Sequence, residues 1–325
     1  MNINEIARLA GVSRATVSRY INDGYVSQEK RQAIKKVIDA TGYIPSAQAQ
    51  MLRTNKTMQV GIVLPEIRSD FACEMGDGIT SVLAEKGYYL LLGNSKNSTS
   101  RELEYLNIFR NNRVDGIIFI PTGFPAEQQK FLDKLTTPCV IIGQQVKGHS
   151  CVCFDDYEAA RNMTELLVKR GRTQYAMLAV PRKNREALRE QDGFLAVLSE
   201  NGIPDENIII TETGYGIQDG YHAMCHLLSR KPDIDAVFVA ADEIAVGAVN
   251  AIRDLGRRIP EDISIASLGD TKLAEVISPK LTTARYFYRD SGVEAAEMLL
   301  DMMEAKNLTA GQRKMGFEVI CRETV

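Results

Sequence analysis

No apolar run in these 325 residues approaches the ~20 that a membrane-spanning helix needs. There is no Cys-x-x-Cys pair, and none of the six cysteines (73, 139, 151, 153, 225, 321) has a histidine at ligand spacing, so neither a zinc site nor a disulfide framework is indicated. Cys151 and Cys153 are two apart and point the same way from a strand, which is geometry unsuited to a mutual disulfide. Buried free thiols are the expectation. The opening Met-Asn-Ile-Asn-Glu-Ile lacks the basic-then-apolar order of a secretion signal, which makes the cytoplasm the expected compartment. Only three histidines occur, at 149, 222 and 226, and none stands near an obvious nucleophile. His222 and His226 are i, i+4 on one predicted helix, and a metal site there lacks its further ligand. No Gly-x-Gly-x-x-Gly and no Walker loop is present. These absences argue against an enzyme and leave no cofactor or metal to expect.

What the chain does contain is concentrated at residues 3–22. Ile6, Leu9 and Ala10 fall at i, i+3, i+4 and write one apolar helix face. Gly11 ends that helix, Val12 plugs the corner, and Ser13 can cap a second helix starting at Arg14. Val17 and Ile21 form the dry side of the second helix. Arg14, Ala15, Thr16, Ser18, Arg19 and Asn22 occupy its front. A helix with a dry back and a front of guanidinium, hydroxyl and amide groups suits the DNA major groove, and the pair reads as a helix-turn-helix.

Charge supports the same reading. The net charge is −3, yet residues 1–58 hold nine Lys or Arg against four acids, a balance of +5, so the remainder stands at −8. A basic head on an acidic body fits one module that meets phosphates and a larger one that does not. A third helix follows, with Ser27 at its cap and Ile34, Val37 and Ile38 on its apolar face. Ile6, Leu9, Val12, Val17, Ile21, Val26, Ile34, Val37 and Ile38 are the expected headpiece core. Residues 43–54 are too small and polar for a core, but helical if ordered.

From residue 58 the pattern changes to strand-length apolar runs at 60–65, 89–92, 116–120, 140–142, 176–180, 208–210, 236–239 and 263–266. Amphipathic helical stretches lie between most of them, which predicts parallel α/β layers. About 265 residues exceed what one sheet takes comfortably, so two similar lobes are expected. Ligands in such sheets bind beyond the carboxyl ends of the strands, here between the lobes.

These elements in this order resemble the LacI/GalR family of transcriptional repressors over essentially the whole chain. The headpiece, Tyr43-Ile44-Pro45, Ala49/Leu52, Gly78-Ile79 after Phe71, Gly193-Phe194 and Asp242-x-x-Ala-x-Gly carry the likeness. So does Ile259-Pro-Glu-Asp-Ile-Ser followed by Ser278-Pro-Lys-Leu-Thr-Thr. Departures include Ser46 for Asn, Gln50 for Arg, Gly171-Arg172 for Gly-His, and Leu268-Gly269-Asp270 for Gly-Phe-Asp. Glu190 stands where an Arg is usual, three before Gly-Phe. Gly269-Asp270 and Tyr286-Phe-Tyr look most like sucrose operon repressors.

The resemblance implies a headpiece at 1–45, a hinge helix at 46–58, and a two-lobed effector domain at 59–325 like the periplasmic sugar-binding proteins. The first lobe is 59–154 with 287–316, the second 155–286 with 317–325. It also implies a homodimer on near-palindromic double-stranded DNA. No leucine heptads follow Val319, so tetramers are not expected. Arg14, Ala15 and Thr16 sit at the family's base-reading positions. Arg14 suits a guanine edge, while Ala15 and the Thr16 methyl suit thymine. Ser13, Ser18, Arg19 and Asn22 suit phosphates. Ala47 and Ala49 would let two hinge helices pack in the minor groove, with Leu52 wedged into a base step.

Asp242 follows an apolar strand and opens a helix, so its carboxylate is expected to face the cleft and accept hydroxyls. Tyr215 and Tyr288 fall where the family places rings against a sugar. Phe71, Ser69 and Asp70 begin the first-lobe rim, and Arg189, Gln144 and Asp156 are further candidates. The expected effector is a small carbohydrate, sucrose-type or a sugar phosphate. Two alternatives stay open: a DNA-binding regulator using a corepressor or phosphoprotein partner, and a sugar-binding protein without a DNA role.

Overall fold

The structure, a computed structural model, describes residues 1–22, 24–43, 56–181, 185–304 and 310–325. The chain divides into two units, Met1–Thr57 and Met58–Val325. In the first, α1 (Ile3–Leu9), α2 (Arg14–Ile21) and α3 (Gln28–Thr41) form. Asn2 starts α1 by a reciprocal cap: its side chain accepts from the Glu5 amide, and the Glu5 carboxylate accepts from the Asn2 amide at 2.9 Å. Gly11 takes φ +65°, a left-handed value that lacks a steric penalty only in glycine, and turns the chain towards α2. Ser13 then accepts from the Thr16 amide at 3.2 Å.

Ile6, Ala7, Val17, Val26 and Ile34 are buried, with Ile3, Val12, Ile21, Val37 and Ile38 packed against them. Leu9 corrects the expected core: it is 51% exposed. Ile3, Ile6, Ala7 and Ala10 share the inward face, and Leu9 lies more than a quarter turn round the helix from its centre. The expected hinge residues Ala47, Ala49 and Leu52 lie outside the described residues.

The second unit holds two six-stranded sheets with helices between the strands. The first sheet contains β1 (Gln59–Leu64), β2 (Tyr89–Asn94), β3 (Gly116–Phe119), β4 (Cys139–Gly143), β5 (Ser150–Phe154) and β11 (Gln312–Met315). The second contains β6 (Tyr175–Ala179), β7 (Ile208–Glu212), β8 (Ala236–Val239), β9 (Ser264–Gly269), β10 (Thr282–Tyr286) and β12 (Phe317–Ile320). Strand order is β11-β5-β4-β3-β1-β2 in one and β12-β10-β9-β8-β6-β7 in the other. Every pairing is parallel except β12 on β10. Parallel strands covered on both faces need unbroken apolar runs, and β3 and β8 are buried at every position.

The connecting helices are α4 (Asp70–Glu85), α5 (Thr99–Asn111), α6 (Ala126–Leu132), α7 (Asp156–Lys169), α8 (Arg185–Glu200), α9 (Ile217–Arg230), α10 (Asp242–Asp254), α11 (Lys272–Val276) and α12 (Tyr288–Glu304). The chain passes between the sheets three times, after Phe154, after Tyr286 and after Met315. Phe154, Tyr286 and Tyr288 stack around two of these crossings with ring centroids 4.9 to 5.9 Å apart. α4 and α12 meet through glycines: a Cβ on Gly78 would stand 2.0 Å from the Arg289 carbonyl, and one on Gly292 would stand 2.2 Å from that of Met75.

Helix α12 and strands β10, β11 and β12 lie outside the apolar runs read from the sequence. β11 is Gln-Arg-Lys-Met on a sheet edge with three exposed positions, so its placement comes from pairing with β5 and not from its own hydrophobicity. The thiols also need correction. Cys151 and Cys153 are buried, whereas Cys73 and Cys321 are exposed. Burial pushes the Cys139 thiol up to about 12 and that of Cys151 up to about 11.

Candidate functional site

Two surfaces carry functional side chains, one in each unit. On the first, α2 exposes Arg14, Ala15 and Arg19, with Thr16, Ser18 and Asn22 half-buried beside them. The Ser13 and Thr16 hydroxyls lie 2.9 Å apart, so the cap and the first turn form one polar cluster. The Asn22 amide donates back to the Ser18 carbonyl at the far end of the helix. Val17 is fully buried and Tyr20 and Ile21 pack beside it, so the helix is anchored along one side and Arg14, Ala15 and Arg19 stay exposed on the other.

In the second unit a cavity of about 430 Å³ opens between the two sheets. Its walls are the carboxyl ends of strands from both: Pro65 after β1, Ile120 after β3, Gly143 ending β4, Phe154 ending β5, Val180 after β6, Ala240 after β8 and Tyr286 ending β10. That is where strand ends leave backbone and side chains uncommitted to the layers. The volume suits a small molecule. Phe71, Tyr215 and Tyr288, the three rings read from the sequence, all line it, together with Ser69 and Asp156. Gln144 and Arg189 instead line an adjoining recess of about 350 Å³ that shares Gly143 and Asp156 with the main cavity. The Arg189 guanidinium donates to Gln145 Oε1 at 3.5 Å.

Asp242 is placed differently from the expectation. It is the first residue of α10, fully buried, and its carboxylate is occupied inside the second lobe. Ser267 Oγ donates to Oδ1 at 2.6 Å and Thr283 Oγ1 to the same oxygen at 2.9 Å, while the Thr271 amide donates to Oδ2 at 2.6 Å. With no exposed surface and no place in the cavity lining, this carboxylate presents nothing to a ligand. Asp242 therefore ties α10 to β9, β10 and the Gly269–Thr271 loop, and its neighbour Glu243 faces the cavity in its place.

Glu190, Glu243, Arg68, Thr271 and Tyr286 also line the cavity, and the sequence reading did not select them as ligand contacts. Glu190 carried a signal, a carboxylate where the family resemblance expects a guanidinium. Glu243 carried a weaker one, adjacency to Asp242 at a helix start.

Burial acts on these carboxyls. It pushes Glu243 up, with Asp242 and Asp70 adding to the shift, and it pushes Asp156, 5% exposed, up to about 7. The Tyr286 hydroxyl, donating to Asp156 Oδ1 at 3.1 Å, and the Arg189 charge oppose the Asp156 shift, while Asp155 adds to it. A carboxyl raised in the folded state gives stability that is present below its ordinary value near 4 and lost as pH rises through about 7. Asp156→Asn keeps an acceptor for Tyr286 and removes that loss. The variant should gain several degrees in Tm over the parent at pH 8 and less at pH 5, by thermal denaturation at both pH values. An equal offset at both would refute the assignment.

Among the described residues no group of three His, Cys, Asp or Glu can hold a metal ion, and no helix is long and apolar enough to cross a membrane.

Comparison with known proteins adds to this geometry. Residues 2–46 match the family described as bacterial regulatory proteins, lacI family, and residues 164–325 match a periplasmic binding protein-like domain. The chain is 31% identical to the HTH-type transcriptional regulator RegA of Clostridium saccharobutylicum, over 99% of this chain and 98% of that one. Among solved structures it superposes on the transcriptional regulator CelR–cellobiose complex with TM-score 0.77 and 26% identity, covering all of both chains. It superposes on the lac repressor dimer bound to operator and an anti-inducer with TM-score 0.90 and 22% identity, covering 100% and 98%.

Proposed function

The chain belongs to the lacI family of bacterial regulatory proteins, a DNA-binding transcriptional regulator and not an enzyme, and from that premise we propose a cytoplasmic dimeric repressor whose hold on a near-palindromic operator is set by a small carbohydrate-class ligand. The observation that carries this reading is the cavity at the strand ends of both sheets, beside two of the three chain crossings. A ligand touching both walls changes the balance between lobe positions by its differential affinity for them, and by nothing else. The related regulator solved with cellobiose supports a saccharide as the ligand class.

In this reading the lobes are 59–154 with 287–316 and 155–286 with 317–325. Arg14, Ala15 and Thr16 read base edges, while Ser13, Ser18, Arg19 and Asn22 hold phosphates. One headpiece covers too little DNA for tight binding, which is why two copies are needed. Ala49 and Leu52 serve as hinge contacts in the minor groove on the strength of the sequence. In the cleft Phe71, Tyr215 and Tyr288 pack against the ligand, and Arg189 and Gln144 reach it from the side recess. Asp242 acts through the loop it pins, without touching ligand.

A gel shift on a palindrome near the protein's own gene, run at 50 and 200 mM salt with and without a saccharide panel, tests the proposal. The expected result is a complex that outcompetes random DNA, weakens steeply with salt, and dissociates with one saccharide. Strengthening by the saccharide would identify a corepressor. No preference for any palindrome would overturn the reading.

A further inference from the structure

Part of the first-lobe wall of the cavity is made of turns that follow strand ends. Pro121 and Thr122, after β3, line it, and so does Asn97, after β2. Lys96 and Asn97 both take left-handed φ values, +52° and +57°, which carry a steric cost for residues other than glycine. A turn of that kind keeps one geometry only when its surroundings hold it there.

A single carboxylate stands behind both turns. Glu102 lies in the first turn of α5, fully buried and outside the cavity lining. Its Oε1 accepts from the Thr122 amide at 2.7 Å, and its Oε2 accepts from Gln128 Nε2. Gln128, equally buried at the start of α6, also donates to the Thr99 carbonyl at 3.4 Å, which joins the starts of the two helices. Burial pushes the Glu102 carboxyl up, while the Thr122 hydroxyl and amide, Gln128 and the Ser95 hydroxyl pull it back. Ser95 is fully buried and stands immediately before the Lys96–Asn97 turn.

The second lobe repeats the arrangement. Asp242, at the start of α10, takes the amide of Thr271, a cavity-lining threonine, together with the hydroxyls of Ser267 and Thr283. Each wall is thus tied to a buried carboxylate at a helix start that does not itself reach the cavity. A leucine at 102 would bury apolar surface equally well, but it would leave the Thr122 amide without its acceptor.

We propose that Glu102 is a positioning residue of the interlobe cleft, the first-lobe counterpart of Asp242, fixing Thr122 and the turn after Ser95 in the geometry that meets a saccharide. The inference rests on the reading of the cleft as the effector site. Glu102 touches no ligand and acts only through the turns it holds.

Calorimetric titration of the full chain at pH 7.5 with cellobiose, sucrose, maltose and glucose 6-phosphate tests it, using the probe that binds the parent most tightly. Glu102→Met keeps the side-chain length and removes the acceptor, and it should weaken that probe about tenfold. Glu102→Gln keeps an oxygen for the Thr122 amide and should recover most of the loss. Phe109→Leu, on the same helix but packed in the lobe core, should lower Tm and leave affinity at the parent's value. Should Glu102→Met not fold, Glu102→Asp, which retracts the carboxylate by one methylene, takes its place with the same expected loss. Unchanged affinity in the acceptor-removed or shortened variant overturns the inference and leaves the cleft its effector role. So does Glu102→Gln binding no better than Glu102→Met, or Phe109→Leu losing as much affinity as either. If no probe binds the parent, the effector reading falls and the inference falls with it.

Discussion

Asp242→Ala should lower the Tm of the second unit by about 10 °C, the largest stability effect expected of any single cleft-side substitution. The side chain is fully buried and takes donors from Ser267, Thr283 and the Thr271 amide. Truncation strands all three, and removing one partner from a buried charged network costs about 3–5 kcal/mol. Glu243→Gln, one residue along and facing the cavity, should leave Tm within about 2 °C of the parent, as substitutions outside the core network do. It should instead weaken ligand binding. Differential scanning calorimetry with ligand titration on both variants separates the roles. A stable Asp242→Ala protein that merely lost ligand would return Asp242 to the cleft as a direct contact.

Arg14→Ala should reduce operator affinity at least about thirtyfold, because a guanidinium–guanine pair discriminates by about 1–3 kcal/mol and a dimer uses two of them. Arg14 is exposed at the start of α2, away from the headpiece core of Ile6, Val17 and Ile34, so folding should not change. Binding to random DNA should fall only slightly, by the loss of one phosphate-type contact. Competition of labelled operator against random duplex, with the salt slope measured for each, reads the difference. Equal losses on both duplexes would show that Arg14 holds the backbone and reads no base.

Much of this was open to reading along the chain, for reasons local to each segment. The headpiece announces itself because a cap, a left-handed glycine and an apolar stripe all act within a turn or two of one another, at Ser13, Gly11 and Val17. Interior parallel strands are legible because both faces are covered and every residue must be apolar, as in Ala236–Val239. The rings at Phe71, Tyr215 and Tyr288, all lining the cavity, were legible only through the family resemblance, which places aromatic side chains at such positions.

Other features needed partners far along the chain. β11 is a polar tetrapeptide until it pairs with β5, some 160 residues earlier. α12 packs at a crossing that depends on Gly78 and Gly292 meeting backbone of the opposite helix. Leu9 has the right residue type for the core but the wrong angle once Ile3 and Ala7 take the inward face.

The sequence by itself determined the element types, the polar front of α2 and the existence of a cleft at strand ends, because propensity, capping and burial pattern are settled by near neighbours. Tertiary structure alone decided which of two adjacent carboxylates is used. Asp242 turns inward since its donors come from 25, 29 and 41 residues away, and Glu243 faces the cavity as a result. It also brought Asp156, Glu190 and Glu243, from three helices far apart in the chain, to the lining of one cavity.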